Sequence, residues 1–407
     1  MSPLALVILI VLLDLLGFSI VMPLLAPFAY HYGFSAWRIG LLFAAYPLCQ
    51  LVSGPILGRL SDRYGRRPLL LYSQAGTALS FLILGLSSHY WVMLLARMLD
   101  GASGGNILIA RAYVADVTKP EDRARGMGLI GMAFGLGFVL GPCIGGLVLK
   151  IPIALDWRLR LPFLVAAAFS TIAWVLLLLR LPESRPAEGQ GREVARALSW
   201  RGLVDVATLP NVGLLVSIEF LAVLAFACFE GTFALFLRFI FQWDAQSAAF
   251  AFGGIGLISA IVQGGMIRRL VPKYGETLLT IAGLILIASG FVSLASTSGI
   301  TLLVAGLFLL GLGQGIVSPS VSGLLSRTTP PHEQGAVFGV LSSAQTLARL
   351  ISYTIAGALF GLVSPAAPYW AAAAIASFAL ILASRLFAIS RASVPRLVTE
   401  SASLERS

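Results

Sequence analysis

The sequence has few of the residues that soluble enzymes and nucleotide-driven pumps use for their chemistry. Only 11% of its 407 residues are charged, and cysteine and histidine occur three times each. A phosphate-binding loop ends in Gly-Lys-Ser or Gly-Lys-Thr, whereas the three lysines follow Thr118, Leu149 and Pro272. The three isolated cysteines provide no disulfide framework, and possible metal ligands are not clustered. We therefore expect no enzyme activity, cofactor or metal site.

A second pattern that could indicate an enzyme also fails. The segment GASGG at residues 101–105 fits the Gly-x-Ser-x-Gly pattern of serine hydrolases. That pattern requires a strand before the serine and a helix after it, but here it lies inside an apolar segment. A hydrolase is excluded.

Long apolar segments dominate the chain instead. Hydrophobic residues make up 58% of the sequence, in runs of about 20 residues, the length of a membrane-spanning helix. Each run must form a helix, because a bare backbone is not tolerated in lipid. We predict an all-α membrane protein with 12 transmembrane helices, at residues 4–26, 39–58, 68–87, 91–115, 126–149, 161–181, 211–238, 247–268, 276–296, 300–326, 335–362 and 367–388.

The positive charges predict the orientation of these helices. The net charge is +10, and 20 of the 28 lysines and arginines fall at the ends and at alternate connections. Such an excess marks the cytoplasmic side, so it does not indicate nucleic-acid binding. We expect a multi-pass protein of the cell (inner) membrane with both termini in the cytoplasm, a lipid bilayer as its surroundings, and a monomeric state.

The chain contains an internal repeat with a period of about 210 residues. RLSDRYG begins at Arg59 and RLVPKYG at Arg269, while PEDRARGMG begins at Pro120 and PHEQGAVFG at Pro331. Two echoes with nearly the same period indicate two parallel six-helix halves. We assign residues 1–181 to the N-terminal half, 182–210 to a cytoplasmic linker, and 211–407 to the C-terminal half with a short tail.

The turn GRLSDRYGRR at residues 58–67 resembles the loop between the second and third helices of major facilitator superfamily transporters. RMLDG at 97–101 is similar to the family's fourth-helix motif, and GLGFVLGPCIGG at 135–146 to the fifth-helix motif of proton-driven exporters. The opening segment is similar to that of tetracycline and multidrug proton antiporters. The resemblance implies a substrate site between pseudo-symmetric halves and transport by alternating access.

The resemblance also implies a gate at this turn. Asp62 would lie at a helix terminus of the other half while Arg63 and Arg67 bond nearby acids, with Asp116 as a candidate partner for the arginines. The alternative is a solvated turn that only sets topology. In the C-terminal echo Pro272 replaces Asp62 and Glu276 replaces Arg66, so we expect an asymmetric gate. The residues assigned to gating are Gly58, Asp62, Arg63, Gly65, Arg66, Arg67, Asp116, Gly141 and Pro142.

The fifth helix has glycines at intervals of four. Gly137, Gly141 and Gly145 would let a neighbouring helix approach closely, and Pro142 removes a backbone hydrogen bond. A pivot between the halves is the favoured interpretation. Close packing without motion is the alternative.

Four acids fall within predicted spans: Asp14, Asp100, Glu219 and Glu230. A charged carboxylate at the bilayer centre costs about 2.5–3.5 kcal/mol, so it must be paired, hydrated or protonated. A carboxyl group that gains a proton on one side and loses it on the other is what proton coupling requires. We therefore assign proton coupling to Asp14, Glu230, Asp100, Glu219 and Arg97. The alternative for Asp14 is a carboxylate permanently paired with Arg97 or another polar group, which would serve only helix packing.

Other polar and aromatic residues within spans are candidates for the substrate cavity. Arg97 and Asp100 share a helix face and can neutralise each other. Arg349 could hold an acid across the interface between the halves or receive an anionic substrate group. Phe226, Phe229 and Phe233 surround Glu230 but could instead face lipid. The residues assigned to substrate binding are Tyr46, Gln50, Asn106, Gln263, Gln314, Gln345, Arg349, Phe226 and Phe233.

The sequence thus favours a secondary active transporter that exports small amphipathic compounds or drugs in exchange for protons, driven by the proton gradient. Uptake or uniport of a metabolite or organic anion is the alternative, and a non-transporting sensor or lipid scramblase comes third. Ser80 stands where tetracycline exporters tend to carry an acid, which argues against tetracycline as the substrate.

Overall fold

The computed structural model describes residues 2–119, 122–184, 211–330 and 333–404, with the backbone alone for 124 and 387–404. Most of the predicted linker, residues 185–210, lies outside this range. The described chain is helical. Its helices are α1 (Pro3–His31), α2 (Ala36–Tyr64), α3 (Arg66–Leu86), α4 (Tyr90–Ala102), α5 (Asn106–Val117), α6 (Arg123–Val148), α7 (Leu155–Arg180), α8 (Val212–Phe241), α9 (Ala245–Ile261), α10 (Ile267–Ala295), α11 (Ile300–Thr328), α12 (Gln334–Leu362) and α13 (Ala367–Leu404).

The helices agree closely with the predicted spans. Within the described ranges, ten stretches are long and apolar enough to cross a membrane. One of them, Ala245–Ala295, contains two predicted spans, which are separated by a kink at Gly275, where φ is 74°. Helix α12 is not among these ten stretches, although it is as long as its neighbours, because Arg349 and several polar residues lower its hydropathy. These polar residues lie on a face that packs against other helices, as described below.

Two helices depart from the prediction because glycine pairs interrupt them. The fourth span is not one helix: it breaks at Ser103–Gly105 into α4 and α5. The eighth span contains a π-helical turn at Val262–Met266, in the sequence VQGGM. Adjacent glycines favour such irregularities because they lack the side chains that stiffen a helix.

The two halves pack against each other along a seam. Across it α2 packs on α12, α6 on α9, and α1 on α8. The helices approach closely at Gly40 and Gly357, where a Cβ on either glycine would meet the other's backbone. Large apolar side chains on the outer surface are exposed, among them Trp91, Leu179 and Leu362. This distribution suits a protein surrounded by lipid.

Contacts across the seam are concentrated at one end of the molecule. We define the basic face by Arg59, Arg63 and Arg67, and the opposite face as the other end. Tyr30 and Phe239 stack near the opposite face, with ring centroids 5.6 Å apart. The Arg238 guanidinium also lies over the Tyr30 ring, and Gly40 meets Gly357 across the seam toward the same face. The halves are therefore in close contact toward the opposite face.

Candidate functional site at the seam between the halves

Asp14 lies inside the N-terminal half and is held by two amides. Its side chain is buried, and its Oδ1 accepts hydrogen bonds from Gln74 Nε2 at 3.1 Å and Asn106 Nδ2 at 3.0 Å. Among the described residues no cation lies within 4.0 Å of Asp14, because Arg97 pairs with Asp100 instead. Of the predicted alternative, pairing with Arg97 is therefore not present, whereas pairing with other polar groups is. Amide donors can satisfy either the charged or the protonated carboxyl group. The site therefore suits a carboxyl group that changes protonation.

A chain of polar side chains connects Asp14 to a second acid. Asn106 Nδ2 also donates to Thr77 Oγ1 at 3.3 Å, and Thr77 lies close to the Asp100 carboxyl group. Asp100 accepts from Arg97 Nη1 at 2.6 Å, and both side chains are almost fully buried. The pair predicted from their spacing is thus formed. Because Asp14 and Asp100 are also within electrostatic range, a charge change on Asp14 acts on the Arg97–Asp100 pair.

The break between α4 and α5 builds this part of the site. It places Asn106 at the first turn of α5 and leaves carbonyl groups without helical partners. Helix α2 supplies those partners: Gln50 Nε2 donates to the Gly104 carbonyl at 3.2 Å and Ser53 Oγ to the Gly101 carbonyl at 2.8 Å. Buried carbonyls rarely remain unpaired. The break is therefore stabilised by the helix that lines the seam.

The C-terminal half contains a second set of acids along α8. Glu230 Oε2 accepts from the Tyr353 hydroxyl at 2.8 Å and lies 3.5 Å from Arg349 Nε. Glu219 Oε1 accepts from Gln345 Nε2 at 2.9 Å. Gln345, Arg349 and Tyr353 are spaced four residues apart, so they form one stripe of α12 facing α8. Arg349 thus pairs within its own half, and the predicted alternative of a pair across the interface is wrong for this conformation.

The two sets meet at Tyr46. The Arg97 guanidinium lies 4.9 Å from the centre of the Tyr46 ring, and Tyr46 is within electrostatic range of Arg349. One turn earlier on α2, Phe43 packs on Tyr353 with ring centroids 5.3 Å apart. Tyr46 therefore lies between the arginine of each half.

The remaining predicted cavity residues lie further from this centre. Phe233 is fully buried and packs on Phe229 and Phe252, and Phe226 packs on Phe229. The alternative that these rings face lipid is therefore wrong for Phe229 and Phe233. Gln263 is exposed in the π-helical turn and Gln314 is half-buried on α11. The contacts above do not connect either glutamine to the charged groups.

At the basic face, Arg66 is the residue that joins the turn together. Its Nη2 lies 2.7 Å from Asp62 Oδ1, its Nε 3.1 Å from Asp116 Oδ2, and its Nη1 donates to Ser61 Oγ at 2.7 Å. These partners all belong to the N-terminal half. Asp116 is thus a partner of an arginine, as predicted.

The other two arginines of the turn differ from the expectation. Arg63 packs on the ring of Tyr64, and Arg67 Nη2 donates to the Leu178 carbonyl at 2.8 Å. Glu183 accepts the backbone N–H groups of Arg66 and Arg67, so this acid caps the start of α3. An acid is favoured there because the amides at a helix N-terminus are positively polarised. Gly58 packs against Leu108.

Helix α6 has two small-residue faces. A Cβ on Gly137, Gly141 or Gly145 would clash with α1, and Ser19 Oγ of α1 donates to the Gly137 carbonyl at 2.7 Å. On the other face, Gly256 of α9 packs on the Phe138 backbone. Pro142 lies within the uninterrupted helix. The predicted close approach of a neighbouring helix is present, and α6 touches both halves.

Comparison with known proteins identifies the family. The model of the Major Facilitator Superfamily matches residues 7–353, with a second match to residues 270–404. The chain belongs to the major facilitator superfamily. It is accordingly a membrane transporter with the all-helical fold of that family, and it is not an enzyme.

Particular members of the superfamily are similar over most of the chain. The class B tetracycline resistance protein of Escherichia coli is 32% identical over 337 residues, 82% of each chain. Major facilitator superfamily domain-containing protein 10 of Bos taurus is 30% identical, over 91% of this chain and 90% of that protein. The crystal structure of the human organic anion transporter MFSD10 matches with a TM-score of 0.71 and 26% identity, covering 93% of this chain and 98% of that one.

Sequence reasoning missed several residues that complete the site in this superfamily member. They are Gln74 and Tyr353, which donate to Asp14 and Glu230, and Thr77 and Ser318, which lie close to Asp100 and Glu219. A signal for Gln74 was available, because a polar residue within a span usually faces the bundle interior. Thr77, Ser318 and Tyr353 are common in helices as packing residues, and only the fold shows which acid each one meets.

Proposed function

We propose that this secondary transporter is a proton-coupled antiporter that exports small amphipathic compounds by alternating access, with Asp14 as the proton-binding residue. The observation that carries the proposal is the environment of Asp14, a buried carboxyl group bonded to two amides and to no cation in the described chain. Its charge would cost about 2.5–3.5 kcal/mol at mid-membrane, which a bound proton removes. Asp14 would therefore bind a proton in one conformation and release it in the other.

The chain of contacts from Asp14 offers a route by which protonation reaches the substrate. When Asp14 releases its proton, its negative charge would repel the carboxylate of Asp100, which is the partner of Arg97. Arg97 also contacts Tyr46 on the seam. Movement of the guanidinium would alter the surface that Tyr46 presents to substrate, so proton and substrate would compete although they occupy different places.

The proton gradient supplies the driving force. One proton that moves down 100 mV releases about 2.3 kcal/mol. Each pH unit across the membrane adds about 1.4 kcal/mol. We place the basic face in the cytoplasm, because arginines concentrate there. The conformation with the halves in close contact toward the opposite face would then take substrate from the cytoplasm.

Gating is proposed for the basic turn and for α6. In this conformation Asp62, Arg66 and Asp116 bond within the N-terminal half. When the halves close at the basic face, the same groups would come to lie against the C-terminal half. Gly141 and Pro142 would be at the pivot, since α6 contacts both α1 and α9.

Proton release into proteoliposomes tests the proposal. Vesicles with a pH dye inside are exposed to a panel of amphipathic cations, anions and neutral compounds, and a compound that is exchanged for protons changes the internal pH. Asp14→Asn should abolish that signal. Asp156→Asn is the matched control, because it makes the same chemical change at a carboxylate that is 47% exposed near the opposite face. An unchanged signal in Asp14→Asn would contradict the proposal.

A second candidate function is transport of organic anions, favoured by Arg349. Its side chain is 37% exposed in the middle of a membrane helix, and its contact with Glu230 is a long 3.5 Å. Arg97, by contrast, is 2% exposed with a partner at 2.6 Å. A guanidinium that is loosely paired and open to the seam suits a carboxylate or sulfonate group. The anions in the compound panel, compared between the wild type and Arg349→Gln, distinguish this candidate.

A further inference from the structure

The four intramembrane acids divide equally between the halves. Each half has one acid paired with an arginine, Asp100 with Arg97 and Glu230 with Arg349. Each half also has one acid that is held by amide or hydroxyl donors instead. In the N-terminal half this is Asp14, as described above.

Glu219 is the corresponding acid of the C-terminal half. Its side chain is 2% exposed. Oε1 accepts from Gln345 Nε2 at 2.9 Å, and Ser318 of α11 lies close to the carboxyl group. Oε2 is fully buried and has no hydrogen-bond partner within the described chain. A buried, unpartnered carboxylate oxygen is costly, and a proton on the carboxyl group removes the charge.

The charged groups near Glu219 do not hold its carboxyl group in the ionised form. Arg349 of α12 is within electrostatic range, but its guanidinium is paired with Glu230, three helical turns further along α8. The adjacent face of α8, at Val216 and Phe220, lines a mainly apolar pocket together with Phe378 and Leu382 of α13. No other charged side chain in the described ranges contacts Glu219 directly.

A path from the seam to Glu219 is also present. Gln345 is half-buried and lies one turn from Arg349, which is open to the seam. By the 210-residue repeat, the position equivalent to Asp14 on α8 is 224, five residues after Glu219. Glu219 therefore lies about 7 Å closer to the basic face than Asp14 does.

We propose that Glu219 is a second proton-binding site, built by the C-terminal half alone and placed closer to the basic face than Asp14. The proposal rests on proton coupling as the function. Each half would then bind one proton, and the two proton-binding sites would lie at different depths in the membrane. Protonation of Glu219 would be sensed at Arg349, because that guanidinium interacts with both glutamates of α8.

Infrared spectroscopy on the purified, lipid-reconstituted protein tests the proposal without a substrate. The difference between spectra at acidic and alkaline pH reports the C=O stretch of carboxyl groups that gain a proton. We expect Asp14→Asn and Glu219→Gln each to remove about half of the band from buried carboxyl groups, and the double variant to remove both contributions. Ser217→Ala is the matched control on α8, because its exposed hydroxyl bonds only to the Gly213 carbonyl.

The outcomes separate the two proposals. A Glu219→Gln spectrum identical to wild type, with the Asp14 contribution still present, overturns the second site and leaves the proposed function intact. Loss of the Glu219 contribution with an unchanged Asp14→Asn spectrum overturns the role of Asp14 instead. Glu219→Asp guards against misfolding as an explanation, because it keeps a carboxyl group and should keep a band.

Discussion

Gly65 and Gly275, 210 positions apart, interrupt their helices with nearly the same backbone conformation, φ 100° and ψ 159° for the first and φ 74° and ψ 157° for the second. This region of backbone space is open essentially to glycine alone. The internal repeat is therefore preserved at the level of single dihedral angles, at the turn after the second helix of each half.

Alanine at either glycine should destabilise the protein. We expect a cost of about 1–3 kcal/mol from backbone strain in Gly275→Ala. Gly65→Ala should cost more, because its Cβ would also collide with the Glu183 carboxylate. Thermal unfolding in detergent measures both. Gly254→Ala is the control, since this exposed helical glycine has open space around it and its replacement should leave the midpoint unchanged or raise it. Equal thermal midpoints for all three variants would contradict backbone strain in the variants of Gly65 and Gly275.

The repeat also swaps a pair of charges. Arg66 pairs with Asp116 in the N-terminal half, and the equivalent Glu276 pairs with Arg327 at 3.3 Å in the C-terminal half. The side chain of Arg66 is 8% exposed and that of Arg327 is 70% exposed. The acids are similarly buried, with Asp62 10% and Glu276 9% exposed, so the two pairs differ mainly in how strongly water screens the arginine.

Removing the two arginines should therefore have unequal effects. Arg66→Gln should cost about 3 kcal/mol, because it removes a buried guanidinium that pairs with both Asp62 and Asp116. Arg327→Gln should cost less, because a guanidinium that is 70% exposed is screened by water and contributes less to its pair with Glu276. The shift in thermal midpoint in detergent compares them. A larger shift in midpoint for Arg327→Gln than for Arg66→Gln would contradict this expectation.

A cross-link at the opposite face should stop transport. Tyr30 of α1 and Phe239 of α8 meet across the seam. In a background without the three native cysteines, Tyr30→Cys with Phe239→Cys should cross-link and block substrate flux, because the halves could no longer separate there. Phe34→Cys with Tyr90→Cys is the control, since these rings are as close, at 5.3 Å, but lie in one half. Full transport by the cross-linked Tyr30–Phe239 pair would contradict alternating access at this seam.

Much of the fold was predictable from the residues. Apolar runs of the right length located the spans, and the repeat of Arg59 and Arg269 located the two halves. The pair of Arg97 and Asp100 followed from helical spacing alone. These features are local in sequence or periodic along it.

The partners of the other acids were not predictable in this way. Gln74 is 60 positions from Asp14, and Tyr353 is 123 from Glu230. Helix packing brings such residues together, and many polar residues within spans have similar sequence surroundings. The sequence analysis also predicted a continuous fourth span, although adjacent glycines such as Gly104 and Gly105 are a recognised signal for an interruption. The break matters because it positions Asn106.

Exchange and net transport compared in one Asp14→Asn preparation test the central claim most directly. Both assays use a compound from the panel that the wild type exports. The first measures exchange of labelled compound on one side of the vesicle membrane for unlabelled compound on the other. The second measures accumulation of the compound driven by a pH gradient. If Asp14 carries the coupled proton, the variant should retain exchange and lose gradient-driven accumulation, while Asp156→Asn retains both. Gradient-driven accumulation at the wild-type level in Asp14→Asn would contradict the claim.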